Sequence, residues 1–313
     1  MSRAYVFPGQ GAQTIGMGKE LAETSPAARA VFDEVDAALG EKLSDLIWEG
    51  EIETLTLTEN AQPALMACSL AVVRALEEKG VTIADGAFVA GHSLGEYSAM
   101  AAAGALSLPD TARLLRLRGR AMQSAVPVGV GAMAALLGLD RDTVAEIAAE
   151  AAGDQVCDAA NDNDPAQVVV SGDTAAVERA VELAKGRGAK RALMLPVSAP
   201  FHCALMQPAA EAMAEALAYV EMSAPSVPVV QNVSAEGVSD PETLRAQLVA
   251  QVTAPVRWRE SVLWMAENGV TELWELGAGK ALSGMVRRID KSLATRAIGT
   301  PADLAAATEA ALA

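Results

Sequence analysis

The distribution of apolar and polar residues predicts two kinds of element. Short apolar runs have the length of buried strands. They cover residues 5–7, 87–90, 227–231 and 271–276. Longer segments place an apolar residue at every third or fourth position and predict helices. They cover residues 17–39, 59–79, 109–126, 204–219, 241–251 and 257–268, the second expected to begin near Pro63. The alternation of strands and helices indicates an α/β domain with a mostly parallel sheet.

The middle of the chain has a different order of elements. Strand patterns and helical patterns follow one another as β-α-β-β-α-β, the order of the ferredoxin-like fold. The strands are predicted over 132–139, 155–160, 167–171 and 191–197, and the helices over 140–152 and 174–185. We therefore predict a compact subdomain over 128–197, inserted into a larger domain formed by 1–127 and 198–313.

Composition and charge exclude several classes of protein. The chain has 313 residues, of which 51% are hydrophobic and 20% charged, as expected of a soluble globular protein. The net charge of −16 argues against a nucleic-acid binder. Cys68, Cys157 and Cys203 are far apart in the sequence and indicate neither a disulfide framework nor a metal site. With no signal peptide and no apolar run of about 18 residues, a cytoplasmic protein away from membranes is expected.

The segment AFVAGHSLGEYSAM (residues 87–100) has the parts of a nucleophile elbow. An apolar strand leads into G-x-S-x-G, and a helical pattern follows as far as Ala105. Gly91 and Gly95 leave room for the tight turn, which exposes the hydroxyl of Ser93. The first turn of the following helix presents free N–H groups and the positive end of the helix dipole at the same place. Ser93 is therefore the candidate nucleophile.

A serine nucleophile needs a base, and the chain contains only His92 and His202. His92 is adjacent to Ser93, but neighbouring side chains on a tight turn diverge. His202 lies between a predicted strand and a predicted helix, in a loop of the kind that forms α/β active sites. No acidic residue stands out as the third member of a triad. A dyad, in which an amide or backbone oxygen holds the imidazole, fits the sequence better.

The oxyanion of an acyl-transfer reaction needs two hydrogen-bond donors. The N–H of Leu94, directly after the candidate nucleophile, is one donor by the geometry of the elbow. The segment FPGQGAQ (residues 7–13) is a candidate for the other, since its glycines let the backbone approach a ligand. The alternative is an ordinary turn at the end of a strand.

Several segments, in order along the chain, match one known family. The segments are FPGQGAQ (7–13), GHSLGEYSA (91–99), RLRGRAMQ (116–123), AANDNDPAQVVVSG (159–172), SAPFH (198–202) and ELGAGKALSGM (275–285). Together they resemble the malonyl-CoA:acyl carrier protein transacylases. The resemblance implies an α/β fold with an α/β-hydrolase-like larger domain, a parallel sheet and an inserted ferredoxin-like subdomain.

The resemblance also implies a role for each candidate residue. The implied roles are nucleophile for Ser93, base for His202, oxyanion donors for the N–H groups of Gln10 and Leu94, orientation of His202 by the carbonyl of Gln251, and substrate contacts for Arg118, Asn161 and Phe201. A guanidinium binds a carboxylate through two hydrogen bonds, so Arg118 would select a malonyl over an acetyl group. The other arginines of that helix, Arg113, Arg116 and Arg120, are expected to be solvated.

The implied reaction moves a malonyl group from malonyl-CoA to the pantetheine thiol of acyl carrier protein through malonyl-Ser93, with no metal and no cofactor. We expect a monomer that supplies fatty-acid synthesis. One rival is a serine esterase or thioesterase with the same elbow, although an HGGG-type oxyanion segment is missing. The other rival is a silent carrier-protein-binding domain. Candidates for the carrier's docking surface are basic residues, namely Lys185, Arg187, Lys190, Arg191, Arg287, Arg288 and Lys291, and the alternative for each is a solvated helix end.

Overall fold

The computed structural model describes residues 2–312, so Met1 and Ala313, the outermost residues of the predicted larger domain, lie outside the described residues. Within this part of the chain, ten strands form two sheets. The strands are β1 (Arg3–Phe7), β2 (Phe88–Gly91), β3 (Gly131–Leu137), β4 (Cys157–Asp164), β5 (Gln167–Asp173), β6 (Arg191–Met194), β7 (Val229–Val230), β8 (Gly237–Val238), β9 (Glu272–Leu276) and β10 (Ala294–Ile298).

Helices cover both sheets. They are α1 (Lys19–Thr24), α2 (Pro26–Leu39), α3 (Leu43–Glu49), α4 (Ile52–Thr56), α5 (Thr58–Glu78), α6 (Leu94–Ala102), α7 (Leu108–Ser124), α8 (Arg141–Ala152), α9 (Thr174–Gly186), α10 (Gln207–Ala218), α11 (Pro241–Ala250), α12 (Trp258–Glu267), α13 (Ala281–Ile289) and α14 (Pro301–Leu312). Among residues 2–312, no helix is both long and apolar enough to cross a membrane.

The larger sheet has six strands in the order β10-β9-β1-β2-β7-β8. Every pair is parallel except β7 with β8. The carboxyl ends of β1, β2 and β9 therefore meet at one edge, at Phe7, Gly91 and Leu276. Functional sites of parallel sheets form at this edge, because the loops that leave it converge there. The mixed α/β fold with a parallel sheet is confirmed.

The smaller sheet is separate and antiparallel, with four strands in the order β4-β5-β3-β6. Alternate residues of each strand point to opposite faces of the sheet. On one face, Ala134, Leu136 and Val170 form a buried core with residues of α8 and α9. On the other face, Met133 and Val169 pack near Phe201 and leave a cleft between this sheet and the larger body.

Most elements predicted from the sequence are present, with ends that differ by a few residues. The helix predicted over 17–39 is broken at Ser25, whose backbone is extended. Pro26 disfavours a helical conformation at the preceding residue, and the Ser25 side chain caps α2 by accepting from the N–H of Ala28. The weakly patterned elements α3, α4, β8, α13 and β10 were not predicted.

Two predictions about helices α5 and α7 are wrong, one on the start of α5 and one on Arg116. The helix α5 begins at Thr58, one turn before the predicted start, and keeps Pro63 inside it. Proline lacks an N–H, so the carbonyl of Glu59 loses its helical donor. Arg116 Nη1 donates to that carbonyl at 2.8 Å. Arg116 is therefore buried and paired with Glu41, not solvated as predicted.

Candidate active site

The turn between β2 and α6 is a strained nucleophile elbow. Ser93 has φ 54° and ψ −112°, outside the regions that L-residues favour. The flanking glycines are required because the backbone closes on itself. A Cβ at Gly91 would lie 1.9 Å from the Gly95 carbonyl, and a Cβ at Gly95 would lie 2.2 Å from the Phe7 carbonyl oxygen. The reason given for these glycines from the sequence is confirmed.

Ser93 and His202 are in hydrogen-bond contact although they are distant in the sequence. The Ser93 Oγ lies 2.7 Å from His202 Nε2. The other ring nitrogen, Nδ1, lies 2.9 Å from the carbonyl oxygen of Gln251. A carbonyl only accepts, so Nδ1 carries the proton and Nε2 has a free lone pair toward Ser93. The arrangement is a dyad whose imidazole is oriented by a backbone oxygen.

The imidazole of His202 is neutral in this environment. Burial, followed by the positive charge of Arg118, lowers the pKa of His202 to about 3. The residue is 3% exposed. Its Nε2 is consequently unprotonated at neutral pH and is able to accept a proton from the serine hydroxyl.

His92 has a different partner. Its Nε2 lies 2.8 Å from Asn163 Oδ1 on the smaller sheet, and burial lowers the pKa of its imidazole. The elbow thus turns the two adjacent side chains, His92 and Ser93, toward different partners. This agrees with the expectation that neighbouring side chains on a tight turn diverge.

Arg118 is buried among neutral oxygen atoms. Only 1% of the residue is exposed. Its Nη1 donates to Gln62 Oε1 at 2.7 Å, and its Nη2 donates to Gln251 Oε1 at 2.8 Å and to Ser93 Oγ at 3.1 Å. Burial lowers the pKa of the guanidinium, because the charged form is poorly solvated there. A cation held this way, beside the nucleophile, is prepared to receive an anionic group.

The remaining predicted site residues line one cleft with a volume of about 470 Å³. Its walls come from the elbow and the loop after β1, from α13, and from the inner face of the smaller sheet. The predicted residues among them are Gln10, Ser93, Leu94, Arg118, Asn161, Phe201 and His202. Gln251 does not line the cleft, but it contacts two residues that do, His202 and Arg118. The structure therefore brings all eight predicted residues together.

Four further polar residues belong to this arrangement and were not predicted. Gln62 holds Arg118, and Asn163 holds His92. Asn232 Oδ1 accepts from the Ser93 N–H at 2.8 Å, and Glu96 Oε2 accepts from the Asn232 N–H at 2.7 Å. Gln62 gave a signal in the sequence, as a polar residue directly before the apolar run 63–68 of α5. Asn232 gave none, because its partner lies 139 residues away.

The basic residues expected to form a docking surface are partly neutralised by acidic neighbours. Lys185 pairs with Glu182, Arg187 with Glu146 and Glu150, and Arg288 with the buried Asp164. Those three cations therefore contribute less to a positive surface than the sequence suggested. No group of three or more His, Cys, Asp or Glu side chains within residues 2–312 could hold a metal ion.

Comparisons of this chain with known proteins agree on one family. The acyl transferase domain family matches residues 4–283. The malonyl CoA-acyl carrier protein transacylase of Escherichia coli K12 is 47% identical over 306 residues, which are 98% of this chain and 98% of that protein. This chain belongs to the malonyl-CoA:acyl carrier protein transacylase family. The Bacillus subtilis transacylase is 48% identical over 95% of this chain and 93% of its own length.

Solved structures agree with this assignment. The acyl-carrier-protein S-malonyltransferase of Bartonella henselae superposes with a TM-score of 0.98, at 56% identity and full coverage of both chains. A malonyl-transacylase solved together with a type II PKS acyl-carrier protein superposes with a TM-score of 0.96, at 43% identity, covering 99% of this chain and 100% of that one. The family resemblance inferred from the sequence motifs is confirmed.

Proposed function

We propose that this chain transfers the malonyl group of malonyl-CoA to the pantetheine thiol of acyl carrier protein, through an ester on Ser93. The observation that carries the proposal is the buried Arg118 guanidinium beside a serine–histidine pair, with Ser93 Oγ 2.7 Å from His202 Nε2. The serine and histidine are equipped for acyl transfer. The guanidinium selects an acyl group that ends in a carboxylate.

The first half-reaction loads the enzyme with malonate. His202 Nε2 takes the proton of the Ser93 hydroxyl while the Oγ attacks the thioester carbonyl carbon. The carbonyl oxygen becomes an oxyanion, for which the N–H groups of Leu94 and Gln10 are the proposed donors. Leu94 is the first residue of α6, where a helix leaves its N–H groups without helical partners. Breaking the C–S bond releases the coenzyme A sulfur, which receives the proton from His202.

The malonyl carboxylate binds the Arg118 guanidinium and replaces some of the neutral oxygen atoms that contact it. Burial is the main cause of the low pKa of His202 and the Arg118 charge is the second, so a carboxylate paired with Arg118 would offset that second cause. Acetyl groups lack this carboxylate and would not gain the ion pair.

The second half-reaction transfers malonate to the carrier. The pantetheine thiol gives its proton to His202 Nε2, its sulfur attacks the ester carbonyl, and the bond to Ser93 Oγ breaks with return of the proton. Apolar side chains of the cleft, such as Met133, Leu195 and Met285, would contact the pantetheine chain. Asn161 and Phe201 would bound the acyl group. Ping-pong kinetics follow, and the malonyl-carrier product would supply fatty-acid synthesis.

The finer architecture belongs to this proposal as well. We describe 1–127 with 198–313 as an α/β-hydrolase-like domain and 128–197 as a ferredoxin-like subdomain. The order β4-β5-β3-β6, with α8 and α9 on one face, supports the second description. We further propose a monomer in the cytoplasm, with no role for nucleic acid or membrane. Sedimentation of the purified protein tests the monomer.

Intact-mass measurement tests the function directly. We expect malonyl-CoA to add one malonyl group to the wild-type chain and none to Ser93→Ala. Adding holo acyl carrier protein should remove the group from the enzyme and place it on the carrier. Rapid steady release of free malonate without the carrier would favour the thioesterase rival. A chain that never acquires the malonyl mass would favour the silent binding domain.

A further inference from the structure

The side chain of Asn232 contacts the backbone on both sides of the nucleophile. Its Oδ1 accepts from the N–H of Ser93 at 2.8 Å, and its Nδ2 donates to the carbonyl oxygen of Gly91 at 2.6 Å. The two bonds span one residue of the elbow, with His92 between them. An asparagine amide has a donor and an acceptor in one plane, so its orientation here is fixed by both partners.

These contacts lie where the backbone most needs support. The conformation of Ser93, with φ 54° and ψ −112°, is sparsely populated and persists only where surrounding contacts determine it. The direction of the Ser93 side chain follows from that conformation. A relaxed elbow would move the Oγ away from His202 Nε2, and a displacement of about 1 Å can slow a reaction about 100-fold.

Asn232 is itself held by a buried carboxylate. Glu96, in the first turn of α6, is fully buried and accepts the Asn232 N–H through Oε2 at 2.7 Å. Its second oxygen, Oε1, has no hydrogen-bond partner in the described part of the chain. The Asn232 carbonyl accepts from the N–H of Arg257, so the backbone of Asn232 is fixed on both sides. Burial raises the pKa of Glu96 to about 7, and the hydrogen bond from the Asn232 N–H opposes that rise.

We propose that Asn232 is a positioning residue for the nucleophile: its amide clamps the strained elbow between Gly91 and Ser93, and Glu96 holds Asn232 in register. The inference rests on the proposed function, because it concerns the rate at which Ser93 is acylated. Neither residue lines the cleft or touches Arg118 through a hydrogen bond. Malonyl-CoA affinity should therefore be independent of the clamp.

A positioning role and a merely structural role predict different kinetics. If Asn232 positions the hydroxyl, its loss slows acylation in every molecule, while the amount of malonyl-Ser93 formed at completion stays at one per chain. If Asn232 only stabilises the fold, its loss removes a fraction of the molecules, while the remainder react at the wild-type rate. Rapid-quench intact mass gives both the rate constant and the amplitude.

The primary experiment compares wild type, Asn232→Ala and the matched control Asn268→Ala, an exposed asparagine whose side chain bonds only to the end of its own helix. We expect acylation by malonyl-CoA to be about 10- to 100-fold slower in Asn232→Ala at full amplitude, and unchanged in the control. The dissociation constant of malonyl-CoA, measured in Ser93→Ala with and without Asn232→Ala, should differ by less than about threefold.

Substitutions at Glu96 keep the inference testable if Asn232→Ala does not fold. Glu96→Gln retains an oxygen that accepts from the Asn232 N–H, so acylation should stay within about threefold of wild type. Glu96→Ala removes the acceptor, and acylation should slow by about tenfold at full amplitude. Glu96→Gln thus keeps the acceptor for the Asn232 N–H, whereas Glu96→Ala removes it.

Several outcomes would overturn the inference. They are a wild-type rate in Asn232→Ala, a reduced amplitude at an unchanged rate, a rise in the dissociation constant as large as the loss of rate, and a Glu96→Gln variant as slow as Glu96→Ala. Failure of the proposed function is distinguishable from all of these, because wild-type enzyme would then acquire no malonyl group on Ser93.

Discussion

The parallel sheet and the antiparallel sheet face the same cleft but contribute different kinds of groups to it. The parallel sheet and its helices supply Ser93, Arg118 and Gln251, which are joined to one another by hydrogen bonds. The antiparallel sheet supplies a wall of apolar and amide side chains, among them Asn161. Side chains that react must be held in fixed positions, which strain and burial provide. Side chains that only bound the cleft need the right shape.

Strand β4 joins the two regions. Asn161 lines the cleft, while its neighbour Asp162 is buried and makes two hydrogen bonds to Arg259 Nε on α12, at 3.1 and 3.0 Å. The next acidic residue, Asp164, pairs with Arg288 on α13 at 2.8 Å. Neighbouring residues of β4 thus have different tasks, because their side chains point to opposite sides. Asn161 lines the cleft, whereas Asp162 and Asp164 attach the strand to helices of the larger body.

The largest effect should come from the base. His202→Ala removes the acceptor of the Ser93 proton, and general-base catalysis contributes about 10²- to 10⁴-fold. We expect acylation by malonyl-CoA to slow by about that factor, measured by rapid-quench intact mass. Thermal unfolding serves as the control for folding. A variant that loads at near the wild-type rate would mean that the serine is activated by another group.

Arg118→Ala should have the next largest effect, and the effect should depend on the substrate. Losing a buried, charge-assisted contact to the malonyl carboxylate should weaken malonyl transfer by about 3 kcal/mol, which is about 100-fold. Acetyl transfer should be spared or increased, since acetyl-CoA has no carboxylate to lose. The ratio of kcat/KM for the two substrates is the measurement. Equal losses for both substrates would contradict the assignment of Arg118 to the carboxylate.

Asn161→Ala tests the wall. Since this residue bounds the acyl group without taking part in proton transfer, we expect kcat/KM for malonyl-CoA to fall by less than about tenfold. The exposed Asn268→Ala is the matched control. A loss as large as that of His202→Ala would mean that Asn161 takes part in the reaction. The two sheets would then not differ in the kind of group that they contribute.

The smallest expected effect is that of acidic pH on the acylation of Ser93 by malonyl-CoA. The folded pKa of His202 is about 3, below its ordinary value of 6.5, so kcat/KM should change less than about twofold between pH 8 and 5.5. Stability behaves differently. Below pH 6.5 the unfolded chain binds a proton that the folded chain does not, so stability falls as the pH falls toward 3. A sharp acid limb of kcat/KM at pH 6.5 would contradict the burial argument.

The candidate nucleophile and base could be chosen from the sequence, because their chemistry restricts the residue types. Only two histidines were available, and the tight turn excluded His92. The misses are residues whose role depends on distant partners. Arg116 was expected in solvent, yet it donates to the Glu59 carbonyl left free by Pro63. Asn232 supports the elbow across 141 residues, a pairing that no local pattern records.

By itself the sequence determined the alternation of elements, the nucleophile elbow and the family, and it proposed the eight candidate site residues. Those features depend on periodicity, on glycine spacing and on short motifs, all of which are local. Tertiary structure alone decided that Arg118 is buried among neutral oxygens, that Arg116 is buried and paired, and that Asn232 spans the elbow. These depend on distances of about 3 Å between segments that are 25 to 141 residues apart, and folding sets such distances through packing of the whole core.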